Sequence, residues 1–111
     1  MRINIVSIFP DFFDGPLGLS IPGRAREAGL VQYHLTDLRS YTHDKHRTVD
    51  DLPYGGGAGM VMKPEPFFEA IDDLEPQGPV ILLSARGRTF NHADAVRYSV
   101  EPELTFLCGH Y

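Results

Sequence analysis

The sequence holds a single cysteine, Cys108, so an intramolecular disulfide is excluded and a reducing, cytoplasmic setting is the expectation. No apolar run approaches the length of a membrane span. The opening residues, Met1-Arg2-Ile3-Asn4-Ile5-Val6, pass straight into a strand-like run, without the h-region and cleavage site of a signal peptide. Positive charge is scarce: 10 Lys and Arg face 15 Asp and Glu, a net charge of −5. That balance speaks against gripping nucleic acid by bulk charge. Internal repeats, low-complexity tracts and linkers are lacking as well. The charges are unevenly placed, however. Arg39, Lys45 and Arg47 gather with His43 and His46, whereas Glu65 to Glu75 carries five carboxylates. A locally basic loop on an acidic body can still meet RNA.

What is present suits one domain, since 111 residues with 42% apolar content can build a core. Arg2 to Ile8 reads as a buried strand ended by Phe9-Pro10, followed by a helical turn at Asp11 to Asp14 that Gly15-Pro16 breaks. Ser20 reads as an N-cap, with Pro22 in the first turn and Gly29 as the stop. Val31, Tyr33 and Leu35 alternate with polar residues as a second strand. Leu38 to Gly59 has no periodicity, and a connection of that length inside a domain is functional or disordered. Regular structure resumes at Met60-Val61-Met62. Pro64 to Leu74 is then a helix with Phe67, Phe68, Ile71 and Leu74 on one face. Val80 to Leu83 is a third main strand, Asn91 to Tyr98 a helix with Asp94 at the capping-box position, and Leu104 to Leu107 a fourth strand. This alternation predicts an α/β fold, a mainly parallel sheet with flanking helices. Cys108-Gly109-His110-Tyr111 is an abrupt stop after a buried strand, and the chain reads as a fragment.

Several familiar site chemistries are missing. The run Gly55-Gly56-Gly57-Ala58-Gly59 is neither a P-loop nor a dinucleotide fingerprint, but it lets the backbone take positive φ and approach a ligand or partner closely. His43 and His46 stand three apart with a carboxylate between them, yet no third ligand follows at a recognisable spacing, so no metal site is read there. No Ser-His-Asp or Cys-His arrangement stands out, and Cys108 reads as a small buried hydrophobe. In open α/β sheets, ligands sit beyond the carboxyl ends of strands. Two strands end in small or polar turns there, Leu83-Ser84-Ala85-Arg86-Gly87 and Cys108-Gly109-His110-Tyr111.

The literal motifs go further. Ile8-Phe9-Pro10, Ser20-Ile21-Pro22-Gly23-Arg24-Ala25 and the long segment from Thr42-His43-Asp44-Lys45-His46-Arg47 to Pro53-Tyr54-Gly55-Gly56-Gly57-Ala58-Gly59-Met60-Val61-Met62 resemble bacterial-type tRNA (guanine-N1)-methyltransferases of the SPOUT class. Leu83-Ser84 and Cys108-Gly109-His110-Tyr111 complete the set. The resemblance implies a trefoil-knot methyltransferase domain, an exception to the usual rule against knots. It implies an obligate homodimer that binds S-adenosylmethionine and methylates N1 of the tRNA guanine immediately 3′ of the anticodon, with Mg2+ supporting activity. DNA and membrane are not among the implied partners.

Residue by residue, Leu83, Ala85, Gly109 and Tyr111 match cofactor-binding positions, with Ala85 standing where proline is common. Arg24, His43, Lys45, His46, Arg47, Tyr54, Gly55, Gly56 and Gly57 match, or are candidates for, the tRNA-facing and dimer-interface segment. The family's general base, its assisting arginine, the glycine-rich cofactor loop and the helical tRNA-binding domain all lie beyond position 111. Residues 1–111 are therefore expected to be a single α/β domain, the N-terminal part of the methyltransferase domain with the knot incomplete. The chain alone is expected to be inactive, with no catalytic residue and no metal ligand. The alternative is a non-catalytic RNA-binding or dimerising fragment.

Overall fold

A computed structural model describes residues 1–111. In chain order the strands are β1 (Arg2–Ser7), β2 (Gln32–Asp37), the two-residue β3 (Asp50–Asp51) and β4 (Val61–Met62), β5 (Val80–Leu83) and β6 (Glu103–Cys108). The helices are α1 (Asp14–Leu17), α2 (Ser20–Glu27), α3 (Pro64–Leu74) and α4 (His92–Ser99), with 3-10 turns at Pro10–Phe13 and Leu38–Tyr41. Four strands form one parallel sheet in the order β2-β1-β6-β5, and β3 and β4 pair separately as an antiparallel ribbon. The α/β alternation expected from the sequence is present throughout.

The two central strands are buried because both sheet faces are covered. Val6 and Leu107, paired across β1 and β6, form a core with Ile8, Leu38, Val49 and Ala70, against which Phe67, Ile71 and Leu74 of α3 pack. Each fully buried Val or Leu contributes about 1.5–3 kcal/mol. Helix α2 lies on the opposite face. The Tyr33 hydroxyl donates to the Pro22 carbonyl at 3.4 Å, and Tyr33 pairs with Ile3, an odd number of residues from Val6. Within the sheet, Asn4 Nδ2 donates to Thr105 Oγ1 at 3.1 Å, and Arg2 Nε donates to Asn4 Oδ1 at 2.9 Å. Asn4 and Thr105 are register partners, and a one-residue slip would leave Asn4 unpaired or turned to the other face.

Three local expectations change. Helix α1 runs through Gly15-Pro16 rather than breaking there, because a proline in the first turn gives up no needed N–H. Ser20 is not an N-cap. Leu19 holds that position without a side-chain cap, and Ser20 takes φ 50° as the chain folds tightly on itself. Phe68 is 64% exposed, since one residue past Phe67 turns about 100° around the helix. The unpatterned stretch from Leu38 is ordered, pinned by the wholly buried Leu38 and Val49 and by the short β3–β4 pairing.

Candidate functional site

The carboxyl ends of β5 and β6 meet side by side, because Leu83 pairs with Cys108 in the parallel register. The four expected cofactor positions therefore fall on one stretch of sheet edge: Leu83 and Ala85 follow one strand, Gly109 and Tyr111 the other. Beyond β5 the chain turns on Ser84, whose Oγ accepts from Arg86 N at 3.1 Å and whose carbonyl accepts from Gly87 N at 3.3 Å. Beyond β6, His110 packs edge-on between Phe9 and Tyr111, each at 5.1 Å between ring centroids. Gly109 has no left-handed φ, and an added Cβ would meet nothing within 4 Å, so no contact inside the chain demands glycine there. Burial pushes the Cys108 thiol up, which leaves it a poor nucleophile.

A groove of about 630 Å³ opens beside β5 on the face of α4. Leu83 and Ala85 line it together with Phe90, Tyr98 and Phe106, and Arg88 and Asp94 supply its charged groups. Gly109 and Tyr111 stand at the neighbouring strand end and do not line it. Its volume lies within the range of small-molecule sites, roughly 300–1,000 Å³. Arg88 grips Asp94 with two bonds of 2.7 Å, and Arg97 adds a third at 3.1 Å. Asn91 N donates to Asp94 Oδ2 at 3.1 Å while Asp94 N donates to Asn91 Oδ1 at 3.0 Å, the reciprocal capping box expected at this helix start. The Arg88 hydrogen bonds are the leading cause holding the Asp94 carboxyl below its usual 3.8. Phe90, Arg88 and Phe106 were not marked by sequence reasoning. Only Asp94 carried a signal, as a cap, and the arginine six residues before it was the clue available.

The basic segment is more self-contained than its composition suggests. Arg39 Nη1 donates to the Arg47 carbonyl at 2.9 Å, Arg47 Nε reaches the Arg39 carbonyl at 3.4 Å, and His43 Nε2 lies 2.8 Å from Glu69 Oε2. Asp44 accepts from Thr48 Oγ1 at 2.6 Å and from Thr48 N at 2.9 Å, and these bonds lower its pKa. Lys45 and His46 are exposed with no side-chain partner. Arg24 sits exposed on α2, while the 42–48 segment docks on α3 across the sheet, so Arg24 and Lys45 to Arg47 belong to elements on opposite faces. The glycine run forms the tip beyond β3. Gly55, Gly56, Gly57 and Gly59 all take positive φ, from 78° to 107°, a conformation that side chains disfavour. Tyr54 beside them is 96% exposed.

The family model described as tRNA (Guanine-1)-methyltransferase TrmD matches residues 1–111. Proteins named tRNA (guanine-N(1)-)-methyltransferase are similar over the whole chain: 56% identical in Clavibacter sepedonicus, 51% in Limosilactobacillus fermentum and 52% in Thermobifida fusca. The chain spans 50%, 47% and 44% of those three proteins, about half the length of the curated relatives it matches.

Proposed function

The chain belongs to the tRNA (guanine-1)-methyltransferase family, and on that premise we propose that the whole protein transfers a methyl group from S-adenosylmethionine to N1 of the tRNA guanine immediately 3′ of the anticodon. The observation that carries this reading is the meeting of Leu83 and Ala85 with Gly109 and Tyr111 at two adjoining strand ends, beside a groove of about 630 Å³. The groove's residues fit the cofactor. Phe90, Tyr98 and Phe106 offer aromatic and apolar surface for a purine, and the turn after Leu83 offers main-chain groups. Leu83, Ala85, Gly109 and Tyr111 would hold S-adenosylmethionine, which supplies an electrophilic methyl group on a sulfonium.

Guanine N1 must lose its proton to attack, and a positioned base is needed for that. Asp94 is the carboxylate at the groove, and its lowered pKa makes it a weak proton acceptor. We place that base, as the family resemblance implies, in the part of the relatives' length that these residues do not span. No group of three or more His, Cys, Asp or Glu side chains stands together as a metal cage. Support of the whole protein's activity by Mg2+ stands as part of this proposal. No helix is long and apolar enough to cross a membrane. The exposed Tyr54 and Leu52 support a second copy of the chain as the partner at the glycine tip. A bare RNA-binding module is less supported, because Arg39, Arg47 and His43 are already engaged within the chain.

The test is methyl transfer by the purified whole protein to tRNA transcripts that carry two consecutive guanines at this site. N1 methylation that stops primer extension at the second guanine is expected. No incorporation, or methylation of a ribose, overturns the assignment.

A further inference from the structure

We propose that Arg88 is a positioning residue of the cofactor groove: its paired bonds to Asp94 hold in place the loop between β5 and α4. The inference rests on the reading that this groove takes S-adenosylmethionine. The loop runs from Ser84 to Asn91 and is restrained unevenly. Its first half folds on Ser84, through the bonds from Arg86 N and Gly87 N. Its second half has no such tie. No main-chain hydrogen bond outside the helices and strands involves Arg88, Thr89 or Phe90. The Phe90 ring lies parallel to Tyr98 at 6.5 Å, but Phe90 is 65% exposed, so packing holds it weakly.

What remains is the guanidinium fork, with both contacts at 2.7 Å to the two oxygens of one carboxylate. The receiving group is itself immobile. Asp94 is only 5% exposed, and the capping box and Arg97 hold it. A planar fork meeting two oxygens fixes orientation as well as distance, which a lysine cannot do. Arg88 thus hangs the free half of the loop on the first turn of α4. Leu83, Ala85 and Phe90, on or beside that loop, form the wall of the groove. Without the fork, the ordering of the loop becomes a cost of binding.

The experiment compares whole-protein variants Arg88→Ala, Arg88→Lys and Ile71→Ala. Ile71 packs against the core on the opposite face of the sheet, and its truncation lowers the melting temperature without touching the groove. Calorimetric titration with S-adenosylhomocysteine should show binding weakened about tenfold or more by Arg88→Ala, less by Arg88→Lys and not by Ile71→Ala. In turnover, Arg88→Ala should raise KM for S-adenosylmethionine more than it lowers kcat. Amide exchange at Arg88 to Phe90 in the cofactor-free protein should quicken in Arg88→Ala. Unchanged exchange, unchanged affinity, or an equal loss of affinity in Ile71→Ala overturns the proposal. A wild-type protein that binds no S-adenosylhomocysteine overturns the groove reading itself, and the proposal with it.

Discussion

Asp94 gathers donors from Arg88, Arg97 and the Asn91 main chain, and this arrangement has a pH signature. A carboxyl lowered on folding contributes stability that is complete above its unfolded pKa and is lost as pH falls through the folded value. Asp94 and Asp44 both lie below their usual 3.8, so stability should fall away as pH drops below that point. Thermal melts of Asp94→Asn should show a shallower decline there than the parent, and an identical acid limb would contradict the role given to the pair. Tyr41 acts at the other end of the scale. Its hydroxyl donates to Asp73, chiefly for which reason its pKa is pushed up to about 12 from 10.0. Its contribution is intact below pH 10 and disappears as pH rises towards 12, and Tyr41→Phe should abolish that slope. Two glycines separate packing from ligand space. An added Cβ at Gly23 would collide with the Gly18 main chain, whereas one at Gly109 meets nothing. Gly23→Ala should therefore cost about 1–3 kcal/mol or more in stability. Gly109→Val should melt like the parent and yet lose cofactor binding, as read by titration alongside the melts. At this scale the sequence was partly legible. Asp94 was readable as a cap because its partner Asn91 is three residues away, but the Gly18–Gly23 contact leaves no local mark.

At the scale of elements, ends decided more than middles. Helix α2 stops in a Schellman motif: Leu30 N donates to the Ala25 carbonyl at 2.9 Å, Gly29 N donates to the Arg26 carbonyl at 3.0 Å, and Gly29 takes φ +73°. The glycine signal was legible because that dihedral is nearly a glycine preserve. Gly29→Ala should cost about 1–2 kcal/mol, seen as a lower urea midpoint with an unchanged m-value. The start of α2 was not legible. Ser20 has the chemistry of a cap, but the Gly18 turn imposes the path, and the Leu19 carbonyl rather than the Ser20 hydroxyl accepts from Gly23 N. Strand β5 misleads in another way. Val80-Ile81-Leu82-Leu83 has the composition of a central strand, yet it lies at the sheet edge with Leu82 64% and Leu83 51% exposed. Composition reports what a strand can bury, and only strand order decides what it does bury.

Across the whole molecule, only 16 of 111 residues are buried, and the radius of gyration is 15.4 Å. A compact domain of this length would measure about 13 Å. Phe12, Ile21, Tyr54, Leu82 and Val100 are all more than half exposed. Apolar surface on this scale marks sites that other surfaces cover. The 111-residue chain on its own should bind a hydrophobic dye and self-associate at micromolar concentration, and a dye-silent monomer in sedimentation would contradict this. The sequence of elements made the parallel sheet legible, because helices alternate with strands. The literal motifs marked both strand ends of the candidate site. The groove beside β5 was not legible, since Phe106 of β6 joins Leu83, Phe90 and Tyr98 only through the pairing of β5 with β6.

The place of β6 between β1 and β5 also sets an order in time. Asn4 and Thr105, bonded in the middle of the sheet, lie 101 residues apart in the chain. At synthesis rates of about 5–20 residues per second, β1 leaves the ribosome roughly 5–20 seconds before its inner neighbour exists. Through that interval one flank of β1 can pair with β2, while the other is an open strand edge with a buried-type face. The nascent protein must therefore wait, with one of its two central strands half-paired, for a segment that arrives near the close of this sequence. A slowed ribosome between β1 and β6 would lengthen that exposure and raise the share of chains lost to aggregation.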